Sequence, residues 1–283
     1  MPVKYTPEFC DKQYNARAAV RDYAQYFEHW RAASAQVRAS RRCFLDRAYG
    51  KTDAERLDVF PARGETRALL VFIHGGYWRS LDKDDFSFLV PAFADHNVAL
   101  AVPNYALAPK ATLFEIVQQN LRAVAWLYRN AREYGADPDR IFVCGHSAGG
   151  HLTAMLLAAI WPRWEEGLPV HLVKGGLAIS GLYDLEPLRH APFLKNDIRL
   201  DANSATHLSP ACLYPATDAP LYTAVGGRES AEFKRQVKLL AASWKIAFRG
   251  DIAMPDDNHF SIVDKLGDGT SPLYKGAMRM MGL

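Results

Sequence analysis

From Leu57 onward the chain alternates short apolar runs with longer amphipathic stretches. The runs Leu57–Phe60, Ala68–Ile73, Val98–Val102, Arg140–Cys144, Gly175–Ser180, Leu221–Val225 and Ile246–Phe248 are short and mostly apolar, so each predicts a strand. Between them, Asp85–Asp95, Leu113–Tyr134, Ala148–Ile160 and Ser230–Ser243 repeat apolar positions at helical spacing. Near-continuous apolar strands separated by amphipathic helices predict an α/β fold. Its sheet is mostly parallel, has about eight strands and carries helices on both faces.

Residues 7–39 follow a different pattern. Phe9, Tyr14, Val20, Tyr23, Phe27 and Trp30 recur roughly as one helical face, and no strand signal precedes them. Thr6-Pro7 supplies an N-cap and a first turn. This N-terminal helical segment stands outside the strand–helix repeat, so it is expected to lie over the sheet edge or cap a pocket. Residues 161–172 and 186–220 are the least regular and read as loops or short excursions. With no internal repeat or linker, residues 1–283 are expected to form one domain.

Composition narrows the function classes. Lys+Arg 34 against Asp+Glu 31 leaves a net charge of +3, too weak a basic field to suggest nucleic acid as a partner. The longest apolar run, Ala154–Trp161, is far short of the roughly 20 residues needed to span a bilayer, so no membrane partner is expected. Cys10, Cys43, Cys144 and Cys212 form no CxxC pair and no disulfide framework. The N-terminus lacks the apolar core of a signal peptide, which makes a cytoplasmic location the expectation. The sequence leaves the oligomeric state open, a homodimer among the options.

Two glycine motifs carry chemistry. Gly145-His146-Ser147-Ala148-Gly149 fits G-x-S-x-G between the strand Ile141–Cys144 and a helix beginning near Ala148. Such a turn strains the serine, lifts its hydroxyl into the open and needs small residues where strand and helix approach. The helix N-terminus then offers the Ala148 N–H to a developing oxyanion. His74-Gly75-Gly76-Tyr77-Trp78 follows the strand Ala68–Ile73, where hydrolases with this serine turn place a second donor. Gly76, Tyr77 and Ala148 are therefore the candidate oxyanion-hole residues. Trp78 and Tyr183 are candidate substrate-binding residues by motif position, with ordinary core packing as the competing reading.

A serine hydroxyl needs a base, and the base needs an orienting acid. Of the nine histidines, His259 follows the last strand and precedes a helical stretch, as the order serine–acid–histidine requires. Glu229, after the strand Leu221–Val225, is the leading acid. Asp184, after the preceding strand, competes with it. The candidate catalytic set is thus Ser147, Glu229 and His259, and the chemistry calls for neither metal nor organic cofactor.

His74–Trp78 resembles the HGGxW signature of kynurenine formamidases (arylformamidases), a branch of the α/β-hydrolase superfamily near the hormone-sensitive-lipase esterases. Gly145–Gly149, Gly226–Gln236 and Asn258-His259-Phe260 resemble that branch's nucleophile turn, acid segment and histidine loop. The likeness runs from about Val20 to the C-terminus. It implies an α/β-hydrolase fold, with Gly76 and Tyr77 donating to the oxyanion. It also implies a serine hydrolase cleaving an aryl formamide or similar small amide or ester through an acyl-enzyme, with N-formylkynurenine as the type of substrate. One departure is Glu229, where the animal enzymes carry Asp. A general carboxylesterase on short acyl esters and a non-catalytic binder on the same scaffold are the alternatives.

Overall fold

The computed structural model describes residues 5–283. Eight strands form one sheet: β1 (Phe44–Ala48), β2 (Arg56–Phe60), β3 (Ala68–Ile73), β4 (Val98–Pro103), β5 (Ile141–His146), β6 (Val173–Ile179), β7 (Leu221–Gly226) and β8 (Phe248–Met254). Their spatial order is β1-β2-β4-β3-β5-β6-β7-β8. The β1–β2 and β2–β4 pairs are antiparallel, and every later pair is parallel. Strands β3, β4 and β5 are buried at every position. Strands covered on both faces need no polar alternation, which is why they read as unbroken apolar runs.

Twelve helices accompany the sheet among the described residues. They are α1 (Pro7–Tyr14), α2 (Ala16–Ala19), α3 (Tyr23–Ser40), α4 (Val90–Ala94), α5 (Leu113–Asn130), α6 (Ala148–Ala158), α7 (Trp161–Trp164), α8 (Lys195–Ile198), α9 (Ala202–His207), α10 (Ala231–Ser243), α11 (Ser261–Leu266) and α12 (Pro272–Met280). Helix α6 packs on β5 and β6, and α12 packs on β8. None is long and apolar enough to cross a membrane among the described residues. Thr6 caps α1 by accepting from the Phe9 N–H at 3.2 Å, as Thr6-Pro7 predicts.

Three local expectations are corrected. Strand β1 is absent from the expected strands, because this edge strand is half-buried at Phe44 and exposed at the other positions, with neither an apolar run nor alternation. The expected helix Asp85–Asp95 is two 3₁₀ turns, Lys83–Asp85 and Ser87–Leu89, leading into the short α4. The last strand begins at Phe248, because Trp244–Ala247 turn the chain through the Ala247 N–H to the Trp244 carbonyl at 3.0 Å.

Helices α1 and α3 bridge distant parts of the chain. Tyr14 and Trp30 are fully buried. Tyr14 Oη donates to Glu232 Oε2 on α10 at 2.6 Å, and Trp30 Nε1 donates to Asp264 Oδ1 on α11 at 2.5 Å. Ser34 Oγ accepts from the Phe88 N–H at 2.9 Å. Buried polar atoms need such partners, so these bonds fix the helices over the end of the sheet where the serine turn lies.

Candidate active site

Ser147 sits between β5 and α6 with φ 57° and ψ −115°, a conformation that costs an L-residue free energy. Its neighbours impose the strain. A Cβ on Gly149 would lie 1.9 Å from the Ile73 carbonyl oxygen, so only glycine lets α6 approach β3 this closely. The Ser147 N–H donates to the Ile179 carbonyl at 2.8 Å, which pins the turn to β6.

His259 lies beside the serine, on the loop between β8 and α11. Its Nε2 is 3.1 Å from Ser147 Oγ, and its Nδ1 is 2.6 Å from Glu229 Oε2. Glu229 is acceptor-only when ionised, so the Nδ1–H donates to it and Nε2 is left to accept the Ser147 proton. Glu229 Oε1 accepts from Ser180 Oγ at 2.5 Å and from the Gly226 N–H at 2.7 Å. The carboxylate is thus held by three donors. Phe233 packs 4.5 Å from the His259 ring centroid and walls it from solvent.

Asp184 faces elsewhere. Its carboxylate pairs with Arg235 at 3.1 Å, and its backbone N–H donates to Gln236. The structure therefore brings Glu229, and not Asp184, to the imidazole. Sequence reading missed Ser180, whose φ of 48° ends β6 in a kink beneath the carboxylate. Only its place at a strand end, before Gly181, could have signalled it.

The chain from Gly76 to Trp78 runs through left-handed conformations, with φ of 96°, 53° and 57°. Gly76 and Tyr77 border a narrow cleft together with Ser147 and His259. His74 braces this loop from behind. It stacks on Tyr105 at 4.3 Å, and its Nε2 meets Asn104 Oδ1 at 3.1 Å. Burial lowers its pKa from the ordinary histidine value. Ala148 is buried at the first position of α6, beside the serine.

Two expected binding residues are corrected. Trp78 is fully buried and points away from the cleft, because the left-handed turn swings its indole under α6. There it meets the His151 ring edge-on at 5.0 Å. Tyr183 is also fully buried, its N–H held by Gln236 Oε1 at 2.7 Å and its ring packed on Gly181. The cleft walls come instead from the N-terminal helices and the histidine loop: Ala16, Arg17, Phe27, Trp30 and Phe260. Ala16, Arg17, Phe27 and Trp30 lie more than a hundred residues before Ser147 in the chain, so no local spacing marks them.

His146 borders the cleft as well, its ring centroid 4.7 Å from that of His259. Burial, with a smaller contribution from His259, holds its pKa well below the ordinary value, so it is neutral. Its Nε2 has no hydrogen-bond partner among the described residues.

Comparisons with known proteins agree with the fold. The BD-FAE family model matches residues 57–160. Kynurenine formamidase of Danio rerio is 26% identical over 294 residues, covering 100% of this chain and 96% of that protein. A solved structure from Silicibacter sp., provisionally described as a thioesterase, is 31% identical with a TM-score of 0.84, covering 94% of this chain and 97% of that one. Esterase B of Lactobacillus shares the fold at a TM-score of 0.67 and 17% identity, covering 95% and 94% of the two chains.

Proposed function

The chain belongs to the α/β-hydrolases of the kynurenine formamidase and hormone-sensitive-lipase-like type and is a hydrolase of amides or esters, and from that premise we propose that it works through a serine acyl-enzyme. Ser147 is the nucleophile, His259 the base and Glu229 the acid that orients it. The observation that carries this reading is the line Ser147 Oγ–His259 Nε2 at 3.1 Å and His259 Nδ1–Glu229 Oε2 at 2.6 Å.

In the first half-reaction Ser147 Oγ attacks the substrate carbonyl carbon and its proton passes to His259 Nε2. The N–H groups of Gly76, Tyr77 and Ala148 hold the oxyanion. Losing one such donor typically costs about 3 kcal/mol of transition-state stabilisation. His259 then gives its proton to the departing nitrogen or oxygen as the carbon–heteroatom bond breaks. In the second half-reaction water attacks the acyl carbon and its proton passes to His259, which returns it to Ser147 Oγ as the acid leaves. Glu229 holds the ring in place and stabilises the imidazolium.

The substrate class we propose is an aryl formamide or a similar small amide or ester, of the N-formylkynurenine type that the full-length resemblance suggests. Aromatic walls from Phe27, Trp30 and Phe260 suit an aryl group. A short-chain carboxylesterase is the second reading, favoured by the same tight cleft at Ser147, which admits a small acyl group on either leaving atom. Helices α1–α3 serve, in this reading, as a cap within a single domain spanning 1–283.

The test has two arms. Fluorophosphonate labelling at Ser147, located by peptide mass, is expected; an unlabelled protein would favour a binder. Rates are then compared side by side on N-formylkynurenine, p-nitrophenyl acetate and a matched thioester. Formamide turnover well above ester turnover selects the formamidase reading, and the reverse selects the esterase.

A further inference from the structure

Among the described residues, Arg17 is the one cleft-lining side chain charged at every physiological pH, and no carboxylate forms an ion pair with it. One terminal N–H donates to Ser80 Oγ at 2.6 Å, and Ser80 Oγ in turn donates to the Gly76 carbonyl at 3.0 Å. The guanidinium carbon stands 5.3 Å from the Phe27 ring centroid and 5.8 Å from that of Tyr23. A guanidinium carries five donors in a fixed fork, so a single hydroxyl leaves most of them free.

Its neighbour Arg79 is provided for differently. Arg79 pairs with Asp197 and also donates to the Phe193 carbonyl at 2.6 Å. The region therefore holds two cations and a carboxylate for only one of them. Burial and the charge of Arg79 both bear on Arg17, lowering its pKa from the ordinary arginine value. A half-buried cation without a counter-ion carries a desolvation cost, and a brace for α2 could have been built from a neutral side chain.

We propose that Arg17 is a specificity-determining residue that selects substrates carrying a carboxylate, received by the free edge of the guanidinium while the reacting carbonyl lies at Ser147. The proposal rests on the serine-hydrolase reading of this cleft. It narrows the substrate class to small aryl amides or esters with an anionic group on the same molecule, because one compact cleft contains both Arg17 and Ser147. Paired N–H···O bonds to a carboxylate are stronger than those to a neutral carbonyl, which gives the discrimination.

The test compares 4-acetoxybenzoate with its neutral methyl ester, methyl 4-acetoxybenzoate, in the wild type, Arg17→Met and Arg17→Lys. The quantity read is the ratio of the two acetate-hydrolysis kcat/KM values. That ratio is insensitive to the fraction of folded enzyme, so partial misfolding does not imitate the effect. The anion-to-neutral ratio should fall about tenfold or more in Arg17→Met. It should recover in part in Arg17→Lys, which keeps the charge but not the fork. Equal ratios in all three proteins, with both rates lowered together in Arg17→Met, would make Arg17 a mere brace and overturn the proposal. If the wild type turns over neither acetate, the hydrolase reading fails separately. Calorimetric titration with 4-acetamidobenzoate and 4-acetamidobenzamide then decides. Binding of the acid that is lost in Arg17→Met supports the proposal, and indifference to the substitution overturns it.

Discussion

The serine turn and the N-terminal helices meet at one cleft, yet they are built by different means. At the turn, the position of Ser147 follows from backbone: a strand end, a strained residue and glycines that let α6 press on β3. The helices are placed by side chains reaching far along the chain. Tyr14 bonds to Glu232, Trp30 to Asp264, and Asn258 Nδ2 donates to Tyr26 Oη at 3.2 Å. The first kind of construction places the groups that the proposed reaction uses. The second supplies walls. Rate and selectivity are therefore separable here, and substitutions in the two regions should differ in kind as well as in size.

The largest effects belong to the turn and its partners. Ser147→Ala should lower kcat on p-nitrophenyl acetate by roughly 10⁴-fold or more, with its far-ultraviolet circular dichroism unchanged. An active variant would move the chemistry out of this region. Glu229→Ala should cost roughly 10³- to 10⁴-fold, because the imidazole loses the partner that fixes its tautomer. Asp184→Ala should stay within about threefold, since Asp184 faces Arg235. Reversal of that ranking would hand the acid role to Asp184.

The contrast also explains what was legible in the sequence. Ser147, His259 and Glu229 could be found because a short motif and a chain order encode them, and the geometry then joins all three. Strands β3 to β5 were legible because burial on both faces leaves an unbroken apolar run. Trp78 and Tyr183 were misplaced for a related reason. Motif position locates a backbone, but the left-handed turn at Trp78 decides where the indole goes. Arg17, Phe27 and Trp30 face the cleft only because α2 and α3 fold back over it, and no pattern within residues 7–39 states that destination.

His151 tests whether every histidine near the turn serves the chemistry. It lies on α6 with Nε2 2.8 Å from the Leu208 carbonyl oxygen and its ring against Trp78, which are wall-type contacts within the turn region. Burial lowers its pKa from 6.5 to about 4. A histidine whose folded value is depressed takes up its proton on unfolding. Its contribution to stability is therefore complete above pH 6.5 and lost as the pH falls toward 4. Urea unfolding should show the wild type losing on the order of 3 kcal/mol more than His151→Gln between pH 7 and pH 4. His74 and His146, also depressed, remain in both proteins and cancel in that difference. Parallel pH profiles for the two proteins would show that His151 titrates normally and is not locked into the wall.

The smallest effect isolates the N-terminal region alone. Tyr14 Oη donates to Glu232 Oε2 at 2.6 Å and accepts from Gln236 Nε2 at 3.0 Å, all within a fully buried contact between α1 and α10. Tyr14→Phe keeps the ring packing on Phe233 and removes only the hydroxyl. Glu232 retains Arg235 Nε at 2.9 Å, so its charge is not stranded, and the loss should be about 1–2 kcal/mol by urea unfolding. Turnover of p-nitrophenyl acetate should change by less than about threefold, because the bond from Tyr77 Oη goes to the Tyr14 backbone carbonyl, which the substitution leaves in place. A collapse of turnover at nearly unchanged stability would erase the distinction between wall and chemistry. It would mean that α1 sets the geometry of the Gly76–Tyr77 loop and takes part in the reaction through it.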